Sequence, residues 1–569
     1  MVYTAWLFVA SLVVLGSSSP ISAYKASSNN AGPLVVTSNG TIQGIYSQAY
    51  SQDFFLGVPY AQPPIDELRF RNPVSLNSTF NGVFQATAFP PQCVGFGSDS
   101  DGRPQSEDCL YLNVVRPSGY ENTTLPVAVW FHGGALVEGG IRDPRYNLSY
   151  IVGNSVNIGK PFIAVAVAYR LSAWGFLQSS QVSASGNTNM GLRDQRLALH
   201  YVQENIQAFG GDPQRVTIWG ESAGAGSVGW HITAYNGRND NLFRAAIMQS
   251  GNPLAYHNYR NTSYYQPYYQ ILITASGCLL AIDSLECLRN RPLGIVKAAI
   301  FATNLLMSWQ PIVDEDFIVR TSSQQIADGA FVQVPIIDGA NTDEGTAFSP
   351  LPVSDELSFL DKLVSPYEPV NIPSDLAAAA NAVYPNKPEY WIPSAEMLGN
   401  SSIPRLFGDA EEWRRSAAYY GDAYFIANRR GTCQAWAARG LTAYSYRFNT
   451  LPAGVPRCIG ATHFQEVAFV FNNTQGVGYS TNPFQGMPLA YQQLSKFMAS
   501  AWTSFIVDLD PNSFITAGSG APMWPKYSVD QPENMVWDAS MTGIAYTEPD
   551  TFRQEGIQWI LDHADAYQR

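Results

Sequence analysis

Six apolar runs constrain the fold more than any other feature of this sequence. They are rich in β-branched and aromatic residues, and they lie at 125–131, 161–171, 215–220, 243–250, 334–340 and 441–448. Helical patterns lie between several runs, as at 194–209, and the last clear ones lie at 489–508 and 551–569. Continuous apolar strands that alternate with helices indicate a large, mostly parallel central sheet flanked by helices. The sequence therefore predicts one α/β domain with long insertions, chiefly at 255–330 and 350–430.

The N-terminus predicts a secretory signal peptide over residues 1–23. Residues 5–15 form an apolar core, a breaker follows at 16–20, and Ala23 is a small residue suited to cleavage. A single mature domain then spans 24–569 and is secreted. No later apolar run approaches the ~18 residues of a membrane span, so we expect no integral membrane segment after signal removal.

The formal net charge of −13 narrows the classes of partner. An acidic surface repels nucleic acid and anionic membranes, so neither is expected as a partner. A neutral or cationic small molecule fits this charge better. The sequence makes no prediction of the oligomeric state.

Cysteines and glycosylation motifs also indicate an oxidising route. The six cysteines are spaced as Cys93/Cys109, Cys278/Cys287 and Cys433/Cys458, and the first two pairs close loops of 15 and 8 intervening residues. The third pair is left open between a disulfide and free thiols, because Cys433 lies in a helical pattern. Seven sequons are present, at Asn39, Asn77, Asn122, Asn147, Asn261, Asn400 and Asn472.

A serine between two glycines follows the run at 215–220. Gly220-Glu221-Ser222-Ala223-Gly224 leads from that strand into a helix-compatible segment. Gly-x-Ser-x-Gly on a strand–turn–helix is the nucleophile elbow, in which small neighbours permit a tight turn that exposes the serine hydroxyl. The alternative is an ordinary helix-capping serine. The surrounding pattern favours Ser222 as a nucleophile.

A serine nucleophile needs a general base, and a carboxylate to orient that base. The candidates for the base are the six histidines His132, His200, His231, His257, His463 and His563. By position, His463 is the best base, because it lies in a loop after the last of the six apolar runs. The acid is expected after the run at 334–340, where Asp343 and Glu344 are adjacent, and spacing does not separate them. The chain order serine, acid, histidine is that of α/β hydrolases.

The oxyanion of an acyl-transfer intermediate needs hydrogen-bond donors. Gly133 and Gly134 follow the run at 125–131, and with the backbone N–H of Ala223 they form the predicted oxyanion hole. His132 is assigned to the architecture of this loop. Histidines are few and HExxH is absent, so no metal site and no cofactor are predicted.

Several motifs together resemble the type-B carboxylesterases, the superfamily of cholinesterases and yeast-type lipases, and most closely its secreted fungal members. "FGGDPQRVTIWGESAGAGS" (209–227) and "SEDCLYLNVVRPS" (106–118) resemble the two family signatures. "NMGLRDQRLAL", "NTDEGTAF" and "GATHFQEVAFVF" follow in the expected order. The resemblance runs from about residue 33 to the C-terminus. It implies an α/β-hydrolase fold and hydrolysis of carboxylic esters.

The resemblance also implies specific roles. Glu344 is the acid that aligns with the family position, and Ser222 and His463 align with the nucleophile and base. Glu221, Ser250 and Glu466 match positions of a supporting polar network, and Cys93–Cys109 and Cys278–Cys287 match two family disulfides.

The first disulfide loop departs from the family. In yeast-type lipases it is a long lid, and in cholinesterases it carries a choline-binding tryptophan. Here "VGFGSDSDGRPQSED" is short, polar and without tryptophan, which argues against acetylcholine and against a large lid in this loop, although another loop could serve as one. We expect small soluble or short-to-medium acyl esters as substrates. The alternatives are a triacylglycerol lipase and a non-catalytic, cholinesterase-like binding protein.

Overall fold

The computed structural model describes residues 32–516, 521–541 and 543–569. The predicted signal peptide lies outside these residues. The described chain divides into two compact units. The first unit is the described part of Ser18–Arg244 together with Tyr259–Arg320, and the second is Ala245–Asn258 with Thr321–Arg569. The single mature domain stays a prediction.

The first unit contains eleven of the described strands. They are β1 (Leu34–Thr37), β2 (Gly40–Gln43), β3 (Ile45–Ser47), β4 (Gln52–Pro59), β5 (Phe84–Gln85), β6 (Gln92–Cys93), β7 (Gln105–Ser106), β8 (Tyr111–Pro117), β9 (Leu125–Phe131), β10 (Ile163–Val167) and β11 (Gly211–Glu221). Six of them pair in the order β11-β9-β10-β8-β4-β3. The β11–β9 and β9–β10 pairs are parallel, and the remaining pairs of this series are antiparallel.

Eight helices belong to the same unit. They are α1 (Leu148–Asn157), α2 (Ser172–Phe176), α3 (Ser180–Ala184), α4 (Met190–Asn205), α5 (Ala223–Gly237), α6 (Thr262–Ala275), α7 (Ser284–Arg289) and α8 (Leu293–Ala302). All seven residues of β9 are buried, because a strand covered on both faces has no solvent side. Trp130 of β9 stands opposite Trp219 of β11, and their ring centroids are 4.6 Å apart.

The second unit contains strands β12 (Ala245–Gln249), β13 (Ile336–Asn341), β14 (Ala443–Phe448), β15 (Glu533–Trp537) and β16 (Ala545–Pro549). The first four pair in parallel in chain order, and β16 pairs antiparallel with β15. Its helices are α9 (Ser322–Ala327), α10 (Glu356–Val364), α11 (Ala377–Val383), α12 (Ala395–Leu398), α13 (Ala410–Gly421), α14 (Ala427–Ala437), α15 (Val467–Val470), α16 (Leu489–Asp508) and α17 (Gln554–Asp562). Much of the predicted insertion at 350–430 is therefore helical.

Parallel pairing places the chemistry-bearing loops at strand ends. Within the first unit, Phe131 of β9 is paired with Gly220 of β11, so the glycine loop and Ser222 leave the same edge of that sheet. Within the second unit, Ser250 follows β12 and Glu344 follows the neighbouring strand β13. Carboxyl ends of parallel strands are the usual location of ligand sites in α/β sheets.

The two disulfides implied by the family resemblance are present. Cys93–Cys109 and Cys278–Cys287 have Cα separations of 5.0 and 5.6 Å. The third pair is not bridged: Cys433 and Cys458 are free thiols. Burial of Cys433 inside α14 raises the pKa of its thiol well above the ordinary value, and a thiol held protonated is a poor partner for disulfide exchange.

The seven sequons differ in exposure. Asn77, Asn122, Asn261 and Asn400 are exposed, whereas Asn147 and Asn472 are half-buried. Asn39 is buried, and its amide Nδ2 donates to the carbonyl oxygens of Leu76 (3.3 Å) and Ser78 (3.1 Å). Attachment of a glycan replaces one of the two Nδ2 hydrogens, so at least one of these bonds would be lost; glycosylation of Asn39 stays a prediction.

Candidate active site

Ser222 occupies a strained turn between β11 and α5. Its φ of 55° and ψ of −125° lie in a region that non-glycine residues rarely adopt. A Cβ on Gly220 would collide with the backbone of Gly224, and a Cβ on Gly224 would collide with the carbonyl oxygen of Phe131. The two motif glycines are therefore required by close packing around the turn, which has the geometry of a nucleophile elbow.

The glycine loop after β9 closely approaches this turn. A Cβ on Gly133 would lie 2.8 Å from Glu221 Oε2 and 3.0 Å from the Cβ of Ser222. Gly134 has a φ of 98°, and its carbonyl oxygen accepts from the N–H of Glu138 at 3.0 Å. Only a residue without a side chain fits beside the serine, and Gly133 provides it.

His132 is packed inside the loop that follows β9. It is 1% exposed, its ring stacks on Tyr169 with centroids 4.5 Å apart, and Tyr169 donates to its carbonyl oxygen. Burial lowers the pKa of the imidazole to about 4, so His132 is neutral at physiological pH. These contacts fit the predicted structural role.

Glu344, and not Asp343, contacts His463. The Nδ1 of His463 lies 2.6 Å from Oε2 of Glu344, whose side chain is fully buried. Asp343 instead accepts from the N–H of Ala461 at 2.8 Å through Oδ2, and burial raises its pKa to about 6. The second unit therefore brings together the histidine and one of the two adjacent acids.

Glu344 is held by two further donors. Its Oε1 accepts from the hydroxyl of Ser250 and, at 2.7 Å, from the backbone N–H of Asn341. Both donors come from strand ends, since Ser250 follows β12 and Asn341 is the last residue of β13. With both oxygens hydrogen-bonded, the carboxylate has one fixed orientation toward His463.

A buried amide–acid network lies beside this pair. Glu466 accepts from the amides of Gln249 (3.0 Å) and Asn341 (2.8 Å), and Gln249 in turn accepts from the indole N–H of Trp502 (3.1 Å). Burial, together with the nearby Glu344 carboxylate, raises the pKa of Glu466. A Glu466 side chain that is protonated, or that accepts hydrogen bonds from two amides, places less negative charge beside Glu344 than a free carboxylate would.

Two aromatic rings position the imidazole. The ring of Phe425 stacks on His463, and that of Phe348 meets it edge-on, both with centroids 4.8 Å away. Together with Glu344 they fix the plane of the imidazole ring. A side chain locked in this way loses little rotamer freedom when it binds a reacting group.

Each predicted residue can now be placed. The first unit holds Gly133, Ser222, Ala223 and Glu221 around the elbow, with Gly134 in the adjoining turn. The second unit holds His463, Glu344, Ser250 and Glu466 in one hydrogen-bonded group. Sequence reasoning missed Gln249, Asn341, Phe348 and Phe425. Gln249 directly precedes Ser250, and Asn341 ends its strand two residues before Asp343, which is the signal that could have identified them.

The described residues offer no group of three His, Cys, Asp or Glu side chains suited to a metal ion. Within the same residues, no helix has the length and apolar character needed to cross a bilayer.

Comparison with known proteins gives consistent matches. The profile described as "Carboxylesterase family" matches residues 31–550. The chain is 32% identical over 576 residues to "Lipase 4" of Diutina rugosa, covering 94% of this chain and 97% of that one. It is 31% identical to "Secreted lipase 1" of Botryotinia fuckeliana, covering 94% of both chains. The crystal structure of Aspergillus niger EstA matches with a TM-score of 0.80 at 26% identity, over 95% of this chain and 100% of EstA.

Proposed function

Since this chain belongs to the carboxylesterase family, we propose that it hydrolyses esters by acyl transfer through Ser222, His463 and Glu344. Membership confirms three predictions made from the sequence: the family, the α/β-hydrolase fold and the activity of a carboxylic ester hydrolase. The substrate is therefore a small-molecule ester, and the non-catalytic alternative is set aside.

In the proposed first step, Ser222 attacks the ester carbonyl while His463 takes its proton. An imidazole that donates from Nδ1 to a carboxylate carries its lone pair on Nε2, which is then the basic nitrogen. The 2.6 Å contact with Glu344 supports this tautomer. Glu344 also stabilises the imidazolium that forms, because its negative charge is buried beside the ring.

The negative charge of the tetrahedral intermediate needs donors. We assign the oxyanion hole to the backbone N–H groups of Gly133, Gly134 and Ala223. Support comes from the close approach of Gly133 to Ser222 and from the position of Ala223 directly after the nucleophile. His463 then protonates the leaving alcohol, and water repeats the sequence to release the acid and restore Ser222.

The elbow at Ser222 is the observation that carries this proposal. A strained, positive-φ serine between two glycines that admit no side chain is costly for a fold, at about 1–3 kcal/mol. Such strain persists where the strained conformation has a functional use. An ordinary helix cap needs neither the strained angles nor the crowded glycines.

The first disulfide loop supports a preference for small or short-to-medium acyl esters. Phe96 of this loop is buried against Trp174, with centroids 6.1 Å apart. The N–H of Asp99 donates to the carboxylate of Glu138 at 2.7 Å. A loop tied down in this way is unsuited to large opening movements, so we infer that it is not a mobile lid.

Triacylglycerol hydrolysis remains the second candidate, because relatives with about the same length are named lipases. We further propose that the protein is secreted, with glycans at the exposed Asn77, Asn122, Asn261 and Asn400. Two disulfides and a relative named as a secreted lipase support this route.

The test is hydrolysis of p-nitrophenyl esters from C2 to C16, and of emulsified triolein, by the wild type and Ser222→Ala. Loss of activity in the variant with a rate maximum at short or medium chains supports the proposal. Ser227→Ala is the matched control, since Ser227 lies on the same helix and donates to the carbonyl oxygen of Ala223 at 2.9 Å. The Ser227→Ala protein that folds should stay active. A maximum at C16 with fast triolein cleavage would establish the lipase instead, and a fully active Ser222→Ala would refute the serine mechanism.

A further inference from the structure

The Cys278–Cys287 loop leaves three large apolar side chains in solvent. Leu280 and Ile282 are 96% and 110% exposed, and Leu279 is 50% exposed. Leu285 of the same loop is only 4% exposed. The loop therefore does have a core to pack against, and it buries one apolar residue there while it presents the other three to water.

Internal bonds fix the shape of this loop. Besides the disulfide, the N–H of Cys278 donates to Ile273 at 2.6 Å and that of Ala281 donates to Cys278 at 3.1 Å. The hydroxyls of Tyr269 and Ser284 are 2.8 Å apart. A loop that is already ordered loses little conformational entropy when it binds a surface.

The exposed apolar residues continue on the two flanking helices. Ile271 on α6 and Ile295 and Phe301 on α8 are 43%, 47% and 69% exposed, and these two helices contact each other. Isolated apolar residues on a surface need no explanation, but contiguous apolar patches mark interaction sites. Here six exposed large apolar residues fall within residues 271–301.

The charges around the loop indicate which surface it fits. Arg289 donates to Glu286 at 3.1 Å, Arg291 to the carbonyl oxygen of Gly277 at 2.6 Å, and Lys297 to Gln105 at 2.7 Å. Residues 271–301 contain three cations and two carboxylates, Asp283 and Glu286, so this segment is close to neutral on a chain whose net charge is −13. A nearly neutral apolar surface on an acidic chain has little attraction for anionic headgroups, and uncharged or zwitterionic headgroups fit it better.

We propose that the Cys278–Cys287 loop adsorbs the enzyme to a neutral lipid surface, with Leu280 and Ile282 inserted among the apolar chains. Insertion transfers side chains that are now in water into an apolar phase, which is favourable in proportion to their area. The inference rests on the proposed function in one respect: an ester hydrolase gains from adsorption where medium-chain esters partition into the surface.

The test is co-flotation with phosphatidylcholine vesicles of the wild type, Leu280→Ser and Leu357→Ser. Leu357 is the matched control, because it is 72% exposed and lies on α10 of the other unit. We expect Leu280→Ser to bind about tenfold more weakly, and Leu357→Ser to bind like the wild type. Hydrolysis of p-nitrophenyl butyrate should be unchanged in both, which excludes misfolding.

Three outcomes would overturn the inference. In the first, Leu280→Ser binds the vesicles as well as the wild type does. In the second, the wild type binds phosphatidylglycerol vesicles more tightly than phosphatidylcholine vesicles. In the third, the wild type binds no vesicles but self-associates, and Leu280→Ser abolishes this self-association. The proposed function fails separately. If the protein binds vesicles but its hydrolysis does not depend on Ser222, the serine mechanism is refuted and the adsorption site is supported. If it hydrolyses soluble esters through Ser222 but binds no vesicles, the adsorption site is refuted and the serine mechanism is supported.

Discussion

Replacing Glu344 by glutamine should give the histidine the wrong tautomer. Oε1 of Glu344 accepts from the N–H of Asn341 and the hydroxyl of Ser250, while Oε2 faces Nδ1 of His463. If the oxygen of the glutamine amide takes the place of Oε1 and accepts the same two hydrogen bonds, the NH₂ group of that amide faces Nδ1 of His463. Nδ1 must then accept, so the ring proton moves to Nε2, the nitrogen that should take the proton of Ser222.

The alternative amide orientation is also unfavourable. It turns the NH₂ group toward the N–H of Asn341, and leaving that buried donor without an acceptor costs about 1–3 kcal/mol. The variant also loses the negative charge that stabilises the imidazolium. A wrong tautomer with intact geometry lowers kcat by about 10⁴-fold in a serine protease triad, so we expect Glu344→Gln to lose roughly 10³–10⁴-fold, or about 4–5.5 kcal/mol of transition-state stabilisation.

Asp343→Asn is the matched control for this variant. Asparagine retains an oxygen for the N–H of Ala461, which Asp343 now accepts at 2.8 Å, so the loss of kcat/KM should stay below about tenfold. The assay is kcat/KM for p-nitrophenyl butyrate from pH 4 to 9, with thermal melting to confirm folding. The wild type should lose activity in acid, because a protonated His463 cannot act as a base. The reasoning is refuted if Glu344→Gln keeps a tenth of wild-type activity, or if both variants lose activity equally.

Three further predictions concern other parts of the chain. Gly133→Ala should lower kcat by about 10²-fold or more, because the new Cβ would lie 3.0 Å from the Cβ of Ser222. The control Gly294→Ala should stay fully active, because nothing lies near its Cβ. Equal activities of the two variants would contradict the assigned oxyanion loop. Burial raises the pKa of Glu138 from 4.5 to about 8. Between these pH values the side chain of Glu138 is ionised in the unfolded chain but protonated in the folded chain, so the stability of the fold falls as pH rises. Glu138→Gln should therefore raise the melting temperature more at pH 8 than at pH 5, and a constant difference would contradict the shift. Thiol titration with a disulfide reagent should find two free thiols per denatured chain. In the native state only the half-buried Cys458 should react, since Cys433 is buried. Finding no free thiol would mean that the pair is bridged.

The strands were the most predictable elements. The run at 125–131 coincides with β9, because a strand buried on both faces is apolar along its whole length. The helical pattern at 489–508 coincides with α16. The run at 161–171 is longer than β10, which ends at Val167, although the residues beyond it are also buried. Burial and strand pairing are different conditions, and hydrophobicity reports only the first. Strands β15 and β16 escaped prediction, since each is only five residues long and Ala545 is the one buried residue of β16.

The site was predictable where a motif fixes a residue's neighbours. Ser222 and the glycines follow from the crowding of an elbow, which leaves few alternatives. The acid did not follow from spacing, because Asp343 and Glu344 are adjacent and only the turn after β13 decides which one meets His463. Phe348 and Phe425 are distant in sequence from the histidine they contact, and contacts of that kind have no local signature.

Glu138 links the first disulfide loop to the glycine loop through two of its hydrogen bonds. Glu138 accepts from the N–H of Asp99 through its carboxylate and donates to the carbonyl oxygen of Gly134 through its own N–H. Movement of the disulfide loop would therefore disturb the turn that holds the assigned oxyanion donors, and such donors are effective only when they are fixed before the reaction. A short loop held by these bonds would keep the donors in place without a lipid surface. Adsorption through the Cys278–Cys287 loop should then raise the local ester concentration without changing kcat for a soluble ester.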